Sequence, residues 1–152
     1  MISRWRTEGL SSVLLLISAA CNSDVPVSAV TDVAPPGFHV TLARVATHPF
    51  LARFNLRLTI SMVDGCSATS ELFPDTGGVS RRNIYLADSN RLYVVGQFDV
   101  RRFDAQNCRI DLVEFRSLEP NMTFVGSFDV DGKGNWTFLP THARAERAFE
   151  KQ

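Results

Sequence analysis

From Phe54 to Met62 the chain alternates strictly: Phe54, Leu56, Leu58, Ile60 and Met62 fall on one face, and Asn55, Arg57, Thr59 and Ser61 on the other. A period of two marks a strand with one dry and one wet face. Arg57 and Thr59 on the wet face argue against a central parallel sheet, whose strands are apolar on both sides. Segments 38–46, 68–73, 82–87, 91–101, 108–115, 122–130 and 135–139 carry similar strand character, with frequent turn residues between them and no strong internal helical period. The pattern predicts an all-β fold, a single antiparallel β-sandwich or small barrel of about seven to eight short strands. The eleven phenylalanines suit such a core.

A hexapeptide recurs within this pattern. Val95-Gly96-Gln97-Phe98-Asp99-Val100 returns as Val125-Gly126-Ser127-Phe128-Asp129-Val130. Each copy precedes turn residues, Asp104–Asn107 in the first case and Asp131–Gly134 in the second. Two similar hairpins are the expectation, with each glycine leaving room for a neighbouring side chain or marking a bend.

The pattern also sets boundaries. Residues 22–36 read NSDVPVSAVTDVAPP, small, polar and proline-rich, with little to bury. They are expected to be a flexible tether, which in extended form would reach roughly 45 Å. The folded β domain is then 37–140, long enough for one core and not two. Residues 141–152 form a charged tail or a short C-terminal helix, with Ala145, Ala148 and Phe149 as its apolar stripe and Thr141 as its N-cap.

Charge changes the picture little. The 16 basic residues balance 16 acidic ones, and no basic face is evident of the kind that engages phosphates, so no nucleic-acid partner is expected.

The N-terminus is more informative. Arg4 and Arg6 precede an apolar run, Leu10–Ile17, which leads into Ser18-Ala19-Ala20-Cys21. The run is far shorter than the roughly 20 residues of a membrane span and has the three parts of a secretory signal, residues 1–20. Cys21 directly after the small residues resembles the lipobox of bacterial lipoproteins, although Ser18 stands where that pattern has Leu. Ser18 and Ala20 also fit an ordinary signal-peptidase site. The resemblance implies acylation of Cys21, a lipid anchor and a place in the bacterial cell envelope facing the periplasm. Asn22, rather than Asp, after the cysteine leans by the same analogy toward the outer membrane.

Cys66 and Cys108 are the other two cysteines. If Cys21 is acylated they form an even set in an oxidising compartment, and a Cys66–Cys108 disulfide is expected, with two unrelated buried thiols as the alternative.

Candidate chemistry is sparse. Asp75-Thr76-Gly77 resembles the Asp-Thr-Gly signature of aspartic proteases, but Pro74 precedes the Asp and there is no second copy. Pro-Asp-x-Gly is also an ordinary turn sequence. Gly77 and Gly78 make residues 74–81 the expected mobile loop, and Asp75, Thr76, Gly77, Gly78, Arg81 and Arg82 the candidate partner contacts. Asp129–Asn135 resembles a calcium loop but has Lys133 where an oxygen is needed and no distal Glu. His39, His48 and His142 show no metal-ligand spacing, and there is neither a GxSxG nor a GxxxxGK[ST] motif. No cofactor, metal or enzymatic activity is expected. The expected role is a cell-envelope lipoprotein that binds or supports another envelope protein. The alternatives are an exported ligand-binding or inhibitory module, using loop 74–81 or the tips 104–107 and 131–134, and, behind it, an aspartic-type hydrolase using Asp75.

Overall fold

The computed structural model describes residues 25–149. The apolar leader, the cleavage site and Cys21 lie outside them. Ten strands form: β1 (Val27–Val33), β2 (Phe38–Ala46), β3 (Phe54–Met62), β4 (Ser67–Glu71), β5 (Arg82–Ala87), β6 (Leu92–Val95), β7 (Val100–Asp104), β8 (Arg109–Val113), β9 (Met122–Val130) and β10 (Trp136–Pro140). They build two antiparallel sheets, ordered β1-β2-β3-β4 and β10-β9-β5-β6-β7-β8. The result is a β-sandwich and not a closed barrel.

The period-two strands meet face to face. β2 and β3 pair along their whole length, from Phe38↔Met62 to Ala46↔Phe54. Val40, Leu42, Leu56, Leu58 and Ile60 bury completely against Ile84, Leu92, Val94, Phe103 and Phe128 of the opposite sheet. Phe38 and Phe103 meet edge to face at 5.4 Å between ring centroids, the geometry that ring quadrupoles favour. Trp136 Nε1 donates to the Leu42 carbonyl at 3.0 Å and so joins the sheets.

Several expectations need correction. The segment read as tether contains β1, paired with β2 from Val27↔Arg44 to Val33↔Phe38. Its small residues are what the core accepts there, because Ala29 and Val33 are buried. Residues 91–101 are two strands, not one. The chain reverses at residues 96–99, where Gly96 N donates to Asp99 O at 2.8 Å. The repeated hexapeptide therefore makes two different structures: its first copy crosses this turn, whereas its second lies wholly within β9. Gly126 does make room for a neighbour. A Cβ there would stand 2.5 Å from the ring of Phe138, on the adjacent strand β10.

The C-terminal tail forms no helix among the described residues. The Ala143 and Arg144 amides donate to Pro140 O, and the chain then runs to Phe149 with no regular secondary structure. A helix of two turns is marginal alone, and the irregular course satisfies polar groups of the sheet. Asn83 Nδ2 donates to Arg147 O at 3.0 Å and Tyr85 Oη to Glu146 at 2.8 Å. The tail and the 114–121 connection together cover the outer face of the six-stranded sheet, where Ala87, Tyr93, Val95 and Val100 form a second buried cluster.

Cys66 and Cys108 are joined, with their Cα atoms 5.7 Å apart. The bridge links the β3–β4 turn to the β7–β8 turn, one in each sheet. It defines one end of the sandwich, shared by the turns at 34–37, 63–66, 88–91 and 105–108. The opposite end carries the loops 47–53, 72–81, 96–99 and 131–135, and also residues 25–26 leading into β1.

Candidate functional site

At the end opposite the disulfide, the loop before β5 lies across the β6–β7 turn. Asp75 anchors it. Its backbone exchanges two hydrogen bonds with Phe54, at 2.8 and 2.9 Å, which attaches the loop to the start of β3. The residue is 7% exposed, and its side chain folds back into the turn. Oδ1 accepts from the Gly77 and Gly78 amides at 3.0 and 2.7 Å, and Oδ2 accepts from the Ser80 hydroxyl. Gly77 has φ +107°, a conformation glycine alone adopts without strain. The Asp-Thr-Gly sequence is thus a turn whose carboxylate is already supplied with donors. Thr76, Gly77, Gly78 and Val79 form the exposed tip.

Arg82 fastens the loop from beneath and is 3% exposed. Its Nη1 donates to the carbonyls of Val79, Ser80 and Arg81 at 3.3, 3.3 and 3.0 Å, and Nη2 donates to Phe73 O at 2.9 Å. Its counter-charge is Asp99, 2% exposed on the facing turn, 3.5 Å from Nη2 through Oδ1. Asp99 Oδ2 accepts from the Phe73 amide at 3.1 Å and stands 3.4 Å from Arg101 Nε. Burial pushes the Arg82 guanidinium below its ordinary value; Asp99 and Asp75 oppose that shift and Arg101 adds to it. The ion pairs are at the long end of contact, and Arg82 Nε, Asp99 Oδ1 and Arg101 Nε have no hydrogen-bond partner among the described residues. Replacing such a buried pair by apolar groups is often neutral for stability, whereas removing one partner alone is costly.

The six residues singled out from sequence therefore divide. Asp75, Gly77, Gly78 and Arg82 belong to one framework, and Thr76 and the two glycines form its exposed tip. Arg82 is enclosed and committed to backbone carbonyls. Arg81 points to the outer face of the six-stranded sheet, where its guanidinium lies 4.4 Å from the centroid of the Phe149 ring. Sequence reading missed Asp99 and Arg101, whereas Gly96 was expected to leave room for a side chain or mark a bend and does both. The available signal was Asp99 two residues before Arg101, and the apparent repeat concealed it.

The two hairpin tips lie at opposite ends of the sandwich and cannot form one surface. Asp104 accepts from the Gln106 and Asn107 amides at 3.0 and 3.2 Å and from Asn107 Nδ2 at 2.8 Å. Asp131 accepts from the Lys133 and Asn135 amides, both at 2.8 Å. Hydrogen bonds from Asn107 hold the Asp104 carboxyl below its usual range, and those from the Asn135 and Lys133 amides do the same for Asp131. Both carboxylates serve their own turns. His39 meets Asp32 at 2.7 Å, while His48 Nδ1 accepts from the Phe50 and Leu51 amides. Among the described residues no three His, Cys, Asp or Glu side chains gather as metal ligands.

The chain matches no protein-family model, no curated protein and no solved structure.

Proposed function

We propose that this chain is a bacterial envelope lipoprotein, acylated at Cys21 and facing the periplasm from the outer membrane, whose sandwich binds or supports another envelope protein. The observation that carries the reading is the Cys66–Cys108 bridge between the sheets, together with a third cysteine directly after a basic, apolar, small-residue leader. Disulfides of this structural kind persist in oxidising compartments, and acylation of Cys21 leaves no thiol unpaired. The outer face of the four-stranded sheet supports the partner role. The six-stranded sheet is covered on its outside by the chain's own segments, but this face is bare among the described residues. Thr59 and Thr69 hydrogen-bond across it at 3.0 Å, Arg57 pairs with Glu71, and a shallow depression of about 430 Å³ opens between Pro26, Ala43, Val45 and Asn55.

Labelling cells with a fatty-acid analogue tests the anchor: label is expected on the wild type and lost in Cys21→Ser, and an unlabelled wild type defeats it. Crosslinking in intact cells tests the partner role, which fails if the protein is recovered alone under every condition.

A ligand-binding or inhibitory module is the second reading, favoured by the exposed tip Thr76–Val79 on a rigid base. A hydrolase using Asp75 has less support, because that carboxylate is engaged by Gly77, Gly78 and Ser80.

A further inference from the structure

We infer that the end of the sandwich opposite the disulfide rests on the lipid surface, with the β2–β3 tip at Phe50 and Leu51 inserted among the headgroups. This rests on the acylation of Cys21 proposed above. β1 begins at this end of the sandwich. Val27 pairs with Arg44, near the top of β2, so the chain enters the domain beside the β2–β3 tip, and Pro26 lies by Val45. From Cys21 to Val25 there are four peptide steps, which span ~14 Å at ~3.5 Å each. An anchored domain on so short a leash cannot turn this end far from the bilayer. A gap of ~14 Å is also too narrow for a folded protein partner, since even a small domain is about 30 Å across.

The surface chemistry has the same polarity. Phe50 is 90% exposed, and Leu51, Phe73, Val79 and Phe98 are exposed at this same end. At the disulfide end, Val63 is the one large apolar side chain among the described residues with comparable exposure. Arg53, exposed at the base of the same tip, places a cation at headgroup depth. Apolar side chains with a neighbouring cation are what an interfacial contact uses.

The test is Phe50→Trp against Val63→Trp, each in the full lipidated protein reconstituted into phosphatidylcholine vesicles with or without brominated acyl chains. Trp136 is buried and common to both. The expected result is loss of emission by bromine quenching at position 50 and none at position 63. Equal absence of quenching in protein that floats with the vesicles overturns the inference and leaves the anchor intact. A blue-shifted position 50 without quenching, in protein that sediments as a dimer, assigns the tip to a second copy and also overturns it. Protein that carries no acyl chain at Cys21 defeats both the anchor and the inference.

Discussion

A methyl group on Gly96 would stand 2.6 Å from Nε of Arg82. It would be equally close to Asp99 Oδ1, at 2.7 Å, so the absence of a side chain at position 96 is what admits the buried ion pair. Gly96→Ala must displace a guanidinium held by four carbonyls, and we expect a loss of about 1–3 kcal/mol from overpacking. Asp99→Asn keeps the shape but takes from Arg82 its contacting counter-charge, and should cost about 3–5 kcal/mol. Urea unfolding at constant m-value measures both; either variant unfolding at the wild-type midpoint refutes this account.

Removing the Asp75 carboxylate should act locally. Asp75→Ala strips acceptors from the Gly77 and Gly78 amides and from Ser80, and each lost bond to a charged group is worth about 1.5–3 kcal/mol. The loop should open, and trypsin should cut after Arg81 much faster than in the wild type. An unchanged cleavage rate would show that the turn does not depend on this side chain.

The Cys66–Cys108 bridge spans a sequence separation of 42. Constraining an unfolded loop of that size contributes about 4 kcal/mol. The double variant Cys66→Ala/Cys108→Ala should lose about that much, and reductant should lower the wild-type midpoint to meet it. A wild type insensitive to reductant at its unfolding midpoint would contradict the expectation.

Alkaline pH should loosen the tail. Burial first, and then the hydrogen bond to Glu146, push the Tyr85 phenol from 10.0 up to about 12. The folded state therefore holds this proton longer than the unfolded chain does. Its stabilisation is whole below pH 10.0 and is lost as pH rises through about 12. Tyr85→Phe keeps the ring and removes the titration, so its stability should fall less steeply across that window. Tyr93, also raised by burial, keeps the slope from vanishing. Identical slopes in the two proteins would deny Tyr85 the role.

The strict alternation of Phe54–Met62, with one wet face, marked β3 with its observed bounds, and segments 38–46, 82–87 and 122–130 likewise match β2, β5 and β9. β1 was hidden because Ser28, Asp32 and the flanking prolines look unburiable, and only pairing with β2 gives Ala29 and Val33 a core to enter. The covering role of the tail was hidden because it is a tertiary event. Its trace in the sequence is β6, Leu92-Tyr93-Val94-Val95, apolar on both faces and buried on both. At the candidate site Asp75 and its glycines could be read as a turn from local chemistry alone. The pairing of Arg82 with Asp99 joins two turns distant in sequence, and nothing local announces it.

Val27–Val33 also guards the flank of β2. A chain trimmed back to Gly37, the boundary that composition marks, would lose Ala29 and Val33 from the interior and leave a row of β2 amides and carbonyls bare. Unguarded strand flanks recruit other strands. Such a shortened protein would aggregate, so this stretch is a safeguard against clumping as well as the lead into the domain.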